Sequence, residues 1–280
     1  MTGLDERENF GSDTVSFIDQ SMENAMNRKT YSFEAGLDYS ITKSSSISLS
    51  GGLGSFGFGR EGTVWTDIYT DPVSNSTYER TQSLFDLEND YYDVNLDYQK
   101  HFDSKQHKVN VSLYYSGSEN QDINTSEIAQ TDEDWEQITD GARSFRTRET
   151  GNEDHLRAKI DYTLPTSVGK LEAGYQGRYN RQNYQYSLQN HVDEQWIDEG
   201  NVRNDANFSR WIQALYTTYS GKLMGIDFQL GIRGEYTDRL LEQQTLNDQY
   251  RIHRFDLFPS AHFTKRFSPK DQIFASYSRR

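Results

Sequence analysis

The densest group of side chains able to do chemistry is Asp132-Glu133-Asp134-Trp135-Glu136, with Asp122, Glu127 and Asp140 nearby. Carboxylate oxygens are hard donors that suit Ca²⁺. The helix-loop-helix calcium motif needs glycine at its sixth position, and counting from Asp132 that position is Gln137. The cluster therefore reads as a solvated acidic loop. The six histidines, His101, His107, His155, His191, His253 and His262, are scattered without metal-ligand spacing. His101 and His107 bracket one short segment and read as a surface pair. Neither a nucleophile elbow, a phosphate-binding loop nor an H-E-x-x-H motif is present. The many carboxylates do not resolve into a catalytic pair, so the sequence predicts no enzyme, no metal site and no cofactor. Three tryptophans are the candidate ligand-binding residues: Trp65, Trp135 and Trp196, all in polar connections at or near acidic residues. Exposed indoles stack on sugars or grip apolar ligands, but they equally pack connections together or mark a membrane boundary.

Charge and composition narrow the partners. The net charge is -14, which excludes nucleic acid, because phosphate binding needs clustered Lys and Arg. There is no cysteine, hence no disulfide and no thiol chemistry. Met1 to Phe10 has neither a basic start nor an apolar core, so it is not a signal peptide; a leader removed earlier, or a longer parent chain, is expected. Aromatic residues make up 14% of a chain that is only 34% hydrophobic and 26% charged. Tyrosine, with 19 copies, has an apolar ring and a polar tip, which suits a membrane–water boundary.

The elements that must position these groups are strands. From Tyr31 to Ile41 every second residue is apolar (Tyr31, Phe33, Ala35, Leu37, Tyr39, Ile41), and Ser32, Glu34, Gly36, Asp38 and Ser40 lie between them. Alternate side chains on a strand point to opposite faces, so the stretch has one greasy and one wet face. The pattern recurs about ten times, and it is cleanest at Ile226, Phe228, Leu230, Ile232, Gly234 and Tyr236. Two-faced strands of ~9–11 residues match a tilted crossing of a bilayer. Glu34, Asp38, Asp93, Asp97, Arg157, Lys159, Asp161, Glu172, Arg178, Asp227, Arg233 and Glu235 all fall on the polar parity. A charge at the bilayer midplane costs ~2–4 kcal/mol on the lipid side and little in a wet lumen. The fold expected is all-β: an antiparallel, up-and-down transmembrane β-barrel in the bacterial outer membrane, with the lipid bilayer as its first partner.

One barrel region accounts for residues 1–280, with 1–29 as a polar lead-in and about ten strands in 30–280. Short turns are expected near 42–46, 101–107, 165–169, 222–225 and 268–271, and long loops near 61–84, 118–152, 189–207 and 237–249. Alternation of short and long connections is the habit of outer-membrane barrels, whose periplasmic turns are short. Strand seven is expected to turn Ile212, Ala214, Tyr216 and Thr218 toward lipid.

The run Gly231-Ile232-Arg233-Gly234-Glu235-Tyr236-Thr237, then Asp256-Leu257-Phe258-Pro259-Ser260, then Phe274-Ala275-Ser276-Tyr277-Ser278-Arg279-Arg280, resembles the barrel region of TonB-dependent outer-membrane receptors, especially the Bacteroidetes-type outer-membrane β-barrel family. That resemblance implies a 22-stranded barrel around an N-terminal plug, a TonB partner reached through the plug, and energy-coupled uptake of a scarce nutrient. The plug and the TonB-contact segment have no counterpart in the sequence, so the resemblance implies a mid-barrel fragment, a curved open sheet when it stands alone. Iron chelate, vitamin, peptide and glycan all fit as the nutrient ligand. Two alternatives stay open: a small self-closed barrel with a structural or adhesive role, and a soluble all-β binding module.

Overall fold

The structure is a computed structural model that describes residues 2–10, 15–71, 76–103, 106–138 and 141–279. It is built of strands: β1 (Thr2–Phe10), β2 (Val15–Thr42), β3 (Ser45–Asp71), β4 (Thr77–His101), β5 (Lys108–Thr131), β6 (Arg143–Thr166), β7 (Gly169–Val192), β8 (Gln195–Asp198), β9 (Asn204–Leu223), β10 (Ile226–Gln243), β11 (Asp248–Arg266) and β12 (Gln272–Ser278), with one 3-10 turn at Gly200–Val202. All lie in a single sheet whose spatial order follows the chain, and the short β8 pairs alongside β7 off the main path. Every pairing is antiparallel. Among the described residues β1 and β12 do not pair with each other, so the sheet is an open, up-and-down meander.

The register stacks the alternating pattern into rows that run across the sheet. One row reads Tyr39, Ile47, Tyr98, Val111, Ile160, Tyr175, Leu215, Gly234, Leu257, each the ladder partner of the next. The neighbouring row, on the other face, reads Asp38, Ser48, Asp97, Ser112, Lys159, Gln176, Ala214, Glu235, Asp256. A one-residue slip would exchange the two faces, so the sequence pattern pins the register. On β2 the apolar run Tyr31–Ile41 extends about 36 Å along the strand and, at a ~40° tilt, about 28 Å in height, close to the ~25 Å apolar band of such barrels.

Aromatic pairs edge this band. On the upper side Tyr92 and Tyr115 pack with ring centroids 5.9 Å apart, and the Tyr115 hydroxyl donates to Asp154 at 2.7 Å. Tyr179 and Trp211 pack at 5.0 Å on the same side, and Tyr219 with Phe228 at 5.9 Å near the turns. The short turns lie at that lower edge. Met224 and Gly225 both have positive φ (50° and 77°), the geometry of a two-residue turn whose twist matches its strands, and glycine takes the second place without strain. In the last turn Ser268 Oγ accepts from the N–H groups of Lys270 and Asp271, each at 3.1 Å.

Three sequence expectations are corrected here. The lead-in at 1–29 is not a loop: β2 already starts at Val15, and Thr2–Phe10 pairs with its first part. The long loops contract, because β3 runs on to Asp71 and β4 resumes at Thr77, β5 reaches Thr131 and β6 begins at Arg143, and β10 reaches Gln243 with β11 from Asp248. In the stretch at 189–207, β7 continues to Val192 and β8 occupies Gln195–Asp198. Above the apolar band water wets both faces, so alternation disappears while the backbone ladder continues. Strand seven of the sequence reading is phased oppositely: Trp211, Leu215 and Tyr219 share the lipid-facing parity, whereas Ile212, Ala214, Tyr216 and Thr218 face inward.

Candidate functional site

The inner face is the concave one. On it side chains reach across an intervening strand: the Tyr216 hydroxyl on β9 passes over β7 to donate to Asp161 on β6 at 2.5 Å. Arg233 on β10 donates to Gln176 on β7 at 3.3 Å, and Arg178 on β7 lies 3.8 Å from Glu235 on β10. Small residues between longer ones are thereby covered, and Ala214 is 1% and Ile212 7% exposed. Outward side chains splay apart: Leu37 is 69% and Leu215 68% exposed. Gly174 provides the clearance for Tyr216, its ladder partner, since a Cβ there would sit 2.5 Å from the tyrosine ring carbon Cζ and 2.6 Å from the Ile160 carbonyl.

Within the apolar band this inner face is divided by charge. On β2–β5 it carries Glu34, Asp38, Asp93 and Asp97 among serines, glycines and asparagines, with no Lys or Arg. On β6–β11 the same ladder rows carry Arg157, Lys159, Arg178, Arg233 and Arg254 within the band, and Arg210 and Arg239 just above its aromatic edge at Tyr179 and Trp211. The carboxylates there are Glu153, Asp161, Glu172, Glu235 and Asp256. Lys159 pairs with Asp161 at 2.6 Å, Arg233 with Glu235 at 2.8 Å and Arg254 with Asp256 at 2.5 Å. Among the described residues Arg157, Arg210 and Arg239 have no carboxylate within bonding distance; Arg157 lies over the Tyr114 ring at 5.2 Å. Sequence reading placed single charges on the polar parity, but the grouping depends on register between strands far apart in the chain.

Above the band the inner face turns aromatic. Phe56, Leu87, Asn89, Asn120, Gly151, Gln182 and Tyr184 line a recess of about 570 Å³. Beside it Asp122 stands directly opposite Glu149. Burial raises the Asp122 carboxyl above the usual carboxylate range, and the negative charge of Glu149 adds to the rise. Burial, then the Glu149 carboxylate, pushes the Tyr184 hydroxyl up to about 12.

The three tryptophans do not form one site. Trp65, on β3, is the ladder partner of Arg80, and Arg80 Nη1 donates to the Trp135 carbonyl at 3.4 Å. Trp135, at positive φ (66°) between β5 and β6, packs edge-on against Tyr78 at 5.7 Å. Trp196 lies apart on β8, tilted against His191 at 4.9 Å and under the Arg146 guanidinium at 4.6 Å. All three are half-buried. In the acidic loop Asp132 Oδ1 accepts from the N–H groups of Asp134 at 3.1 Å and Glu136 at 2.9 Å, an Asx-type turn, and Asp140 lies outside the described residues. His107 Nε2 meets the Tyr162 hydroxyl at 2.8 Å, a contact with β6 rather than with His101.

An antiparallel sheet with a lipid-facing apolar band edged by aromatic rings, and a charged concave face, defines the wall of an outer-membrane barrel. The outer membrane protein beta-barrel family model matches residues 100–280, and the chain belongs to that family; its place is the bacterial outer membrane. No curated protein matches the chain. Similar solved structures include the ferric citrate transporter FecA in unliganded form (9% identity, 97% of this chain, 42% of that one, TM-score 0.43). The siderophore receptor PiuA from Acinetobacter baumannii is another (8% identity, 99% of this chain, 48% of that one, TM-score 0.45). The translocator domain of the autotransporter NalP from Neisseria meningitidis is a third (12% identity, 91% of this chain, 81% of that one, TM-score 0.27). The chain spans less than half the length of the two receptors.

Proposed function

We propose that this chain is part of the barrel wall of a TonB-dependent receptor that imports a scarce nutrient across the outer membrane. The observation that carries the reading is the inner face: charged, concave and continuous across the strands of an open sheet. Eight strands suffice to enclose a barrel interior that side chains fill, whereas a wall this broad that has not yet closed belongs to a wide lumen. Such a lumen holds cargo and an inward-folded plug, and the plug provides the contact to TonB. The strands continuing above the apolar band form the outer vestibule, where the recess between Phe56 and Tyr184 is the first inner surface a ligand meets, while Trp65 and Trp196 share the parity of the outer face. The reading assigns the chain no catalytic step.

Growth of a deletion strain and its complemented parent is compared with iron, cobalamin, peptide or glycan as the limiting nutrient, with and without a protonophore. A deletion defect in one medium, rescued by the gene and reproduced by the protonophore, is expected. Uptake that persists when the proton gradient is collapsed would overturn energy coupling.

A further inference from the structure

The division of charge on the inner face has a direction. The acidic side, β2–β5, carries its carboxylates on the lumen face with no Lys or Arg on those four strands within the band; the nearest basic residue in their rows is Lys159 on β6, which pairs with Asp161. The basic side places Arg157 beside Arg178 as direct ladder partners, and Arg210 beside Arg239 one row higher. Like charges set side by side repel unless something anionic sits between them. The wall's own carboxylates fill that role only in part: Glu235 pairs with Arg233 at 2.8 Å and reaches Arg178 at 3.8 Å, and among the described residues Arg157, Arg210 and Arg239 have no carboxylate within bonding distance. The Nε atoms of Arg178 and Arg210 are covered by protein and hydrogen-bonded to nothing in it. Guanidinium groups present a planar fork that matches carboxylate and phosphate oxygens two at a time.

We propose that Arg157, Arg178, Arg210 and Arg239 form a binding site for an oxyanion-bearing small molecule, with at least two carboxylate or phosphate groups, on the β6–β10 side of the lumen. The acidic β2–β5 side repels the same groups, so the cargo is held off-centre with its anionic end toward the arginines. This inference rests on the transport reading only in taking the polar face as a passage, and its test measures binding rather than uptake.

The probes are tricarballylate for the carboxylate case, inorganic pyrophosphate for the phosphate case, and sucrose as the uncharged control. Each is titrated calorimetrically into the intact outer-membrane protein in detergent, at two salt concentrations. One of the two anions is expected to bind, more weakly at high salt, and sucrose not at all. Arg157→Gln, Arg210→Gln and Arg239→Gln should each weaken binding about tenfold, the loss of one charge-assisted contact. Asp93→Asn, on the acidic side, should leave it equal or tighter. If glutamine variants fail to give the heat-modifiable folded band, Arg210→Lys decides: it keeps the charge but not the fork, and binding should still fall severalfold. No binding of either anion, or binding unchanged in Arg210→Lys and in the glutamine variants that fold, would overturn the site. So would a variant that releases an inner domain to protease while its anion affinity stays the same, since the arginines would then hold polypeptide instead.

Discussion

The phase of β9 gives the sharpest test of the fold, because two residues three apart on one strand, Leu215 and Thr218, are assigned opposite environments. Leu215 points into lipid and is 68% exposed in the isolated chain, between Tyr175 on β7 and Gly234 on β10. It lies four residues from Trp211 and four from Tyr219 on its own strand, which puts about 10 Å of hydrocarbon on either side of it at the usual tilt. Thr218 faces the lumen as the ladder partner of Glu172. Leu215→Arg should therefore cost about 2–4 kcal/mol, the range for a basic residue near the midplane. That is a loss of about 30- to 700-fold in the folded-to-unfolded ratio. Thr218→Arg, placed beside a carboxylate in a wet lumen, should cost well under ~1 kcal/mol. The assay is urea unfolding of the protein in lipid bilayers, followed by tryptophan fluorescence, with the slope held constant between variants. Equal losses, or a larger loss at Thr218, would refute the register and restore the opposite phase.

Two further outcomes follow from the inner face. Gly174→Ala should cost about 1–3 kcal/mol, because the new Cβ meets both the Tyr216 ring and the Ile160 carbonyl. Combining it with Tyr216→Ala in an unfolding cycle should recover part of that cost, and strict additivity would mean the ring does not cross there. Asp122→Asn should stabilise the region above the band at neutral pH and flatten its pH dependence. The wild-type carboxyl has a raised folded-state pKa, so its stabilising contribution is present in the protonated form at low pH and is lost as pH rises through the folded value. Hydrogen exchange of β5 and β6 between pH 4 and pH 7 reads this, and an unchanged profile in the variant would exclude Asp122 as the titrating group.

Where hydrocarbon meets one face, the sequence was legible. Ile226 to Tyr236 alternates without a break, and its partners Phe255, Leu257, Pro259, Ala261 and Phe263 on β11 continue the outer face, so strand existence, face and register follow from the pattern. Between Val15 and Lys29 the same kind of strand carries Asp19, Glu23, Asn24, Asn27 and Arg28 on both parities, because neither face is in lipid. No periodicity marks it, and only the ladder to β3 shows it. On β9 both parities are apolar, Ile212 and Tyr216 against Trp211 and Leu215, and the choice is made by Glu235 standing opposite Ala214 and Gly234 opposite Leu215. The arginine wall was illegible for a third reason. Arg157, Arg178, Arg210 and Arg239 are separated by whole hairpins, and proximity between them exists only after the strands are in register.

The strands do not stop at the lipid surface. On β2 the stretch Val15–Thr30 continues the ladder beyond Tyr31, about 40 Å of further height at the same slant. The cell therefore carries a palisade at this spot, with its posts hydrogen-bonded to one another well clear of the headgroups. An antibody or phage tail arriving from outside would touch the palisade's rim first, and an epitope tag placed at that rim would be readable on living cells while the lipid-embedded part stayed out of reach.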